Sequence, residues 1–187
     1  LVMQIVKENK IHPSDVCILD SRVEVIRELD YKIRNISKEK SKTTFETKEA
    51  FDYILKDLKD SEFNGINLSE LSRDQLEYHN KEVSRKLADK LETIRRNKKL
   101  HFFMKSGTMK LSTTHSFKGW EIPSLIMVID DEETDENEFT TEELIYTGFT
   151  RARFCLIIIN LAKNKYDSFF RGKIESSYDV GEEDYAN

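Results

Sequence analysis

Three short apolar runs constrain this chain most. They are Val16-Cys17-Ile18-Leu19, the SLIMVI run at 124–129 and the FCLIII run at 154–159. Each is about one strand long and hardly interrupted by polar residues. That pattern suits a strand buried on both faces, the usual case in a parallel sheet. Between the runs, apolar residues recur at helical spacing, as in Val23, Ile26, Leu29 and Ile33. Strands alternating with amphipathic helices predict an α/β fold with a parallel sheet flanked by helices. In such sheets ligands collect at the carboxyl ends of the strands.

The remaining elements follow from local signals. Leu1, Ile5 and Val6 read as the end of a helix, broken by Asn9 and His12-Pro13-Ser14. Ser21 followed by Glu24 has the spacing of a capping box and predicts a helix start there. Thr43-Thr44-Phe45 reads as a short strand. Phe51, Ile54, Leu55 and Leu58 mark a further helix, and Asn64-Gly65 a turn. A long helix is predicted from Arg73 to Asn97. Strands are expected at 100–104 and 109–113, with a turn at Ser106-Gly107. Thr140 with Glu143 repeats the capping-box spacing and opens a helix reaching about Ala152. The expected organisation is one domain over 1–165, with a C-terminal helix and acidic tail over 166–187.

Charge excludes some classes and leaves others open. Thirty Lys and Arg against 35 Asp and Glu give a net charge of -5, which rules out a wholesale basic nucleic-acid binder. Yet 81–110 carries ten basic and three acidic residues, while 130–143 carries nine acids and no base. The basic zone is either a solvated helix face or a local phosphate-contacting surface. No run approaches the roughly 18 apolar residues of a membrane span. Two cysteines supply neither a disulfide framework nor a zinc site. The chain lacks an initiator Met and a signal peptide, so it is expected to be cytoplasmic and cut from a larger protein. It also lacks the G-x-x-x-x-G-K-[ST] phosphate loop.

Two segments carry chemistry. The first, Thr113-Thr114-His115-Ser116-Phe117-Lys118-Gly119-Trp120-Glu121, follows a strand. Its hydroxyls, imidazole and lysine are suited to phosphate oxygens, and its glycine to close approach or a positive φ. Glu121 can accept from a sugar hydroxyl. An ordinary polar loop fits equally. The second, 142–153, runs Glu-Glu-Leu-Ile-Tyr-Thr-Gly-Phe-Thr-Arg-Ala-Arg. Arg151 there either complements a helix C-terminus or is aimed at a phosphate.

Taken together, the two segments resemble motifs V and VI of superfamily 1 helicases of the UvrD/Rep/PcrA type, and Asp15–Leu19 resembles the strand of motif IV. The resemblance implies a RecA-like, P-loop NTPase-type second motor domain without its own Walker A loop. It implies Arg151 as the catalytic arginine finger, assisting phosphoryl transfer electrostatically. It implies Lys118, Gly119, Glu121 and Tyr146 at the nucleotide, with Arg22 standing in for a displaced motif IV arginine. Thr113, Thr114, His115 and Ser116 would contact single-stranded DNA or a duplex junction. The implied cofactors are ATP and Mg2+, held mainly by an N-terminal RecA-like partner domain, so the chain alone would be inactive as an ATPase. The accessory domain common between motifs IV and V is expected to be absent or much reduced over 35–100. Two rival readings remain: a degenerate helicase-like interaction module, and the motor part of a helicase-nuclease.

Overall fold

The computed structural model describes residues 1–129, 141–161, 166–168 and 170–172. Five strands form one fully parallel sheet in the order β2-β3-β1-β4-β5. They are β1 (Val16–Asp20), β2 (Ser41–Thr43), β3 (Met109–Thr113), β4 (Ile122–Ile129) and β5 (Ala152–Asn160). The helices are α1 (Val2–Glu8), α2 (Val23–Asn35), α3 (Lys48–Glu62), α4 (Arg73–Leu100) and α5 (Thr141–Phe149). The α/β class and parallel sheet read from the apolar runs are therefore what the chain adopts.

β1 is the central strand, and all five of its residues are buried. Alternation sorts its side chains between two cores. Val16 and Ile18 join Met109, Leu111, Ile126 and Val128 on the face covered by α1 and α2. Cys17 and Leu19 join Leu125, Phe102 and Phe117 on the other. Beside that second core, α5 lays Ile145 and Phe149 on Met127 and Ile129, where Tyr166 and Phe170 also pack. Gly148 makes the close approach possible, because a Cβ there would stand 2.6 Å from the Met127 sulfur.

Some local expectations are corrected. Ser21 does not cap α2: the N-cap is Arg22, and it makes no side-chain cap hydrogen bond. The chain leaves β1 still extended through Arg22, whose N–H is taken by Asp20 Oδ1 at 2.8 Å. Ser21 therefore lies one residue too early to reach the first turn. No strand forms at 100–104. Leu100 ends α4 and His101 caps it, so that Phe102 enters the second core as an isolated anchor. Thr44 and Phe45 are buried beyond the end of β2 rather than within it. α5 stops at Phe149, three residues short of Ala152, and Thr140 lies outside the described residues.

Candidate functional site

The position of the polar segment 113–121 is set by register. Asp20 pairs with Thr113, and Leu19 with Met127, so these residues are level at the carboxyl edge of the sheet. Val16 pairs with Ser124, yet β4 starts two residues earlier, at Ile122. Residues 114–121 must therefore descend the length of the sheet. Phe117 is buried midway against Cys17, Leu19 and Leu125 and pins the crossing. One sequence segment is thus split between two ends, roughly 20 Å apart at about 3.3 Å per strand residue.

The carboxyl edge keeps Thr113, Thr114, His115 and Ser116. Thr114 donates its N–H to the Asp20 carbonyl at 2.9 Å, and its hydroxyl reaches the same oxygen at 3.4 Å. Thr113 Oγ1 accepts the Ser116 N–H at 3.3 Å, which shapes the 3-10 turn His115–Phe117. His115 is exposed on that turn. Arg22 stands beside this group, because β1 and β3 are neighbours. Here α2 begins, its amino end aimed out of the sheet with no side-chain cap and Glu24 in its first turn. Such an end presents backbone N–H groups and partial positive charge. The buried Thr44–Ser112 hydroxyl pair, 2.8 Å apart, ties the end of β2 to this edge.

The other end gathers Lys118, Gly119, Glu121 and Arg151 at the start of β4 and β5. Gly119 has φ +89°, the left-handed region that glycine tolerates best. Glu121 accepts from Arg153 Nε at 2.9 Å in an exposed ion pair. Arg153 was not among the expected residues; as the second basic residue after the helix it was visible in the sequence, but its partner was not. Arg151 is half-buried. Its carbonyl accepts the Ile122 N–H at 3.1 Å, and its Nε donates to the Thr147 carbonyl at 3.3 Å. That bond is the helix C-terminal role open to it from sequence. Tyr146 is 71% exposed on α5, close in sequence but not packed into the sheet.

Six of the ten basic residues in 81–110 pair with carboxylates, three of them distant in sequence and three on the same helix. Lys86 pairs with Glu62, Lys90 with Asp57 and Arg95 with Glu46. Arg85, Arg96 and Lys81 pair with carboxylates along α4 itself. Lys110 is fully buried in β3, where its ammonium bonds the Ser14 carbonyl and burial pushes its pKa down. The solvated-helix reading of this zone therefore holds for most of its members. Among the described residues, no group of three His, Cys, Asp or Glu could hold a metal ion, and no helix is long and apolar enough to cross a membrane.

No family model matches this chain, and no curated protein matches it. Among solved structures the chain is similar to a dephospho-CoA kinase from Campylobacter jejuni, at 14% identity and a TM-score of 0.32, over 91% of this chain and 98% of that one. The resemblance to UvrD/Rep/PcrA-type helicases is not borne out: no family model of that or any other kind matches the chain, and the solved structure named above is a kinase. The two motif-like segments stand as local chemistry on a parallel α/β sheet.

Proposed function

We propose that this chain is a nucleotide-binding α/β module that takes a phosphate-bearing ligand at the carboxyl edge of β1 and β3. One observation carries the reading: register brings Arg22 and the amino end of α2 beside Thr113–Ser116. Guanidinium, imidazole, hydroxyls and helix amides are the donors that phosphate oxygens take. The carboxyl edge is also where parallel α/β sheets bind nucleotides.

The split of segment 113–121 favours a finer reading with two ligands. A single-stranded nucleic acid would lay its backbone on the carboxyl edge. A nucleoside triphosphate with its Mg2+, held by a separate body, would meet Arg151 at the amino end of β5. In that reading the whole protein is an NTP-using enzyme.

Equilibrium anisotropy with a labelled single-stranded oligonucleotide and a labelled ATP analogue tests both. Arg22→Ala and His115→Ala are each expected to weaken oligonucleotide binding about tenfold and to make it less salt-dependent. Unchanged affinity in both variants rejects the carboxyl-edge site. Arg151→Ala should leave oligonucleotide binding intact, and its loss there would reject the separation of the two ends.

A further inference from the structure

α4 packs along α3 but buries only Val83 and Leu91 of its 28 residues. A second stripe of the helix carries two shallow grooves, of about 610 Å3 and about 340 Å3, that meet at Ser84. Among the described residues, every one lining them comes from α4 itself. Leu87, Ala88 and Leu91 form an apolar floor near the middle of the stripe, and Leu76 is 40% exposed toward its start.

Four charged side chains border the stripe as two ion pairs along the helix. Glu77 meets Lys81 at 2.8 Å and Glu92 meets Arg96 at 3.1 Å, and all four are between 61% and 76% exposed. Exposed pairs of this kind contribute little to folding. Both run acid first and base second, so a reversed copy of the helix presents the opposite sign at each position. Laid antiparallel and centred between residues 86 and 87, a second α4 sets its Arg96 level with Glu77 and its Glu92 level with Lys81. One turn further out its Lys99 comes level with Asp74. In this register no charged residue of α4 meets a like charge at its own level. A parallel copy in register would instead set every charge against itself. Residues 77 and 96 lie about 28 Å apart along the axis at 1.5 Å per residue, and the same register satisfies both ends. Ser84 and Ala88 flank the centre, where small side chains let two axes approach to about 8 Å.

We propose that this stripe of α4 is a homodimer interface, on which a second copy of the chain lays its own α4 antiparallel about a two-fold axis. The occupant follows from the charge pattern. A two-fold contact uses one patch twice, so residue i meets j and j meets i, and the patch must be complementary to itself. The sign order along α4 has that property in one register, whereas an unrelated helix has no reason to match it at both ends. The charges fix direction and register. Closure over Leu87, Ala88 and Leu91 supplies the apolar contact.

Sedimentation equilibrium of the whole chain over a range of concentrations tests this. A reversible monomer–dimer equilibrium is expected, weaker at about 0.5 M salt than at about 0.05 M. Arg96→Glu and Glu77→Lys should each raise the dimer Kd about tenfold or more by setting like charges level. Both side chains are exposed, so helical circular dichroism should stay at the parent value. The double variant Glu77→Lys/Arg96→Glu exchanges the two charges and should return the Kd to near that of the parent. A parallel contact would gain nothing from the exchange. Ala88→Lys should weaken the dimer as well, since it meets Arg85 of the second copy at the centre. The proposal is overturned if the chain stays monomeric at low salt, if the dimer is indifferent to Arg96→Glu and Ala88→Lys, or if the double variant fails to recover. A monomer whose amides at 77–96 shift on adding a single-stranded oligonucleotide would assign the stripe to nucleic acid and overturn the dimer too.

Discussion

Glu46 is the residue whose chemistry departs furthest from what its neighbours in sequence suggest. It follows Thr43-Thr44-Phe45, and its side chain is fully buried. Arg95 approaches it with two nitrogens, at 2.8 and 2.9 Å, and Arg27 pairs with it from α2. Arg27 also stacks on Phe51, 3.8 Å from the ring centroid. Burial raises the Glu46 carboxyl pKa, but the Arg95 hydrogen bonds and the two guanidinium charges outweigh it and hold it below the ordinary carboxylate value. The stability this supplies is present above the unfolded carboxyl's pKa of about 4.3 and is lost as pH falls through the lower folded value. Glu46→Gln leaves two guanidinium groups without a counter-charge and should cost about 3 kcal/mol or more, read by urea unfolding at pH 7. Its stability should also decline less steeply below pH 4 than that of the parent chain. A variant equally stable at pH 7 would refute the assignment. Only the tertiary fold shows this cluster, because Arg27 lies on α2, Glu46 in the loop after β2 and Arg95 on α4.

At the scale of elements, α4 shows how far local rules reach. Ser72 accepts the Gln75 N–H at 3.3 Å, and the Gln75 side chain accepts the Ser72 N–H at 2.9 Å, a complete capping box. The start of this helix at Arg73 agrees with its sequence reading. Ser72→Ala should lower the unfolding free energy by about 1 kcal/mol, with Ser72→Asp close to the parent chain; equal loss in both variants would point away from capping. The pattern at Ser21 has the same spacing and fails, because the backbone stays extended through Arg22, which is itself the N-cap. Capping signals describe what a side chain can do, and where the backbone turns decides what it does. The strand expected at 100–104 fails for a related reason. Phe102 there is buried as an anchor for the second core, edge-on to Phe117 at 6.4 Å and to Trp120 at 6.2 Å, while Leu100 and Phe103 stay exposed.

At the scale of the molecule, stability is concentrated in the sheet. β1 and β4 are buried almost throughout, whereas α3 and α4 together bury only Leu58, Val83 and Leu91. Native-state hydrogen exchange should therefore find the slowest amides at 16–19 and 124–128, with opening of the α3–α4 hairpin at lower free energy. Uniform protection across both regions would contradict this. The fold class was legible because apolar runs and helical periodicity report burial, almost fully so for β1 and β4; the run 154–159 was expected to be buried on both faces, but β5 is an edge strand that leaves Phe154 86% exposed. Most strands and helices followed from it.

The site was legible only in part. Sequence alone determined that this chain forms a parallel α/β sheet with a polar segment after a strand, because residue type and spacing encode local burial and local hydrogen bonding. Only the tertiary structure decided that this segment serves two ends of the sheet. It likewise decided that Glu121 meets Arg153, and that the basic helix finds its acids on α3 and beyond β2. Those outcomes depend on register and crossover, which bring together residues tens of positions apart, and no spacing within a short window reports them.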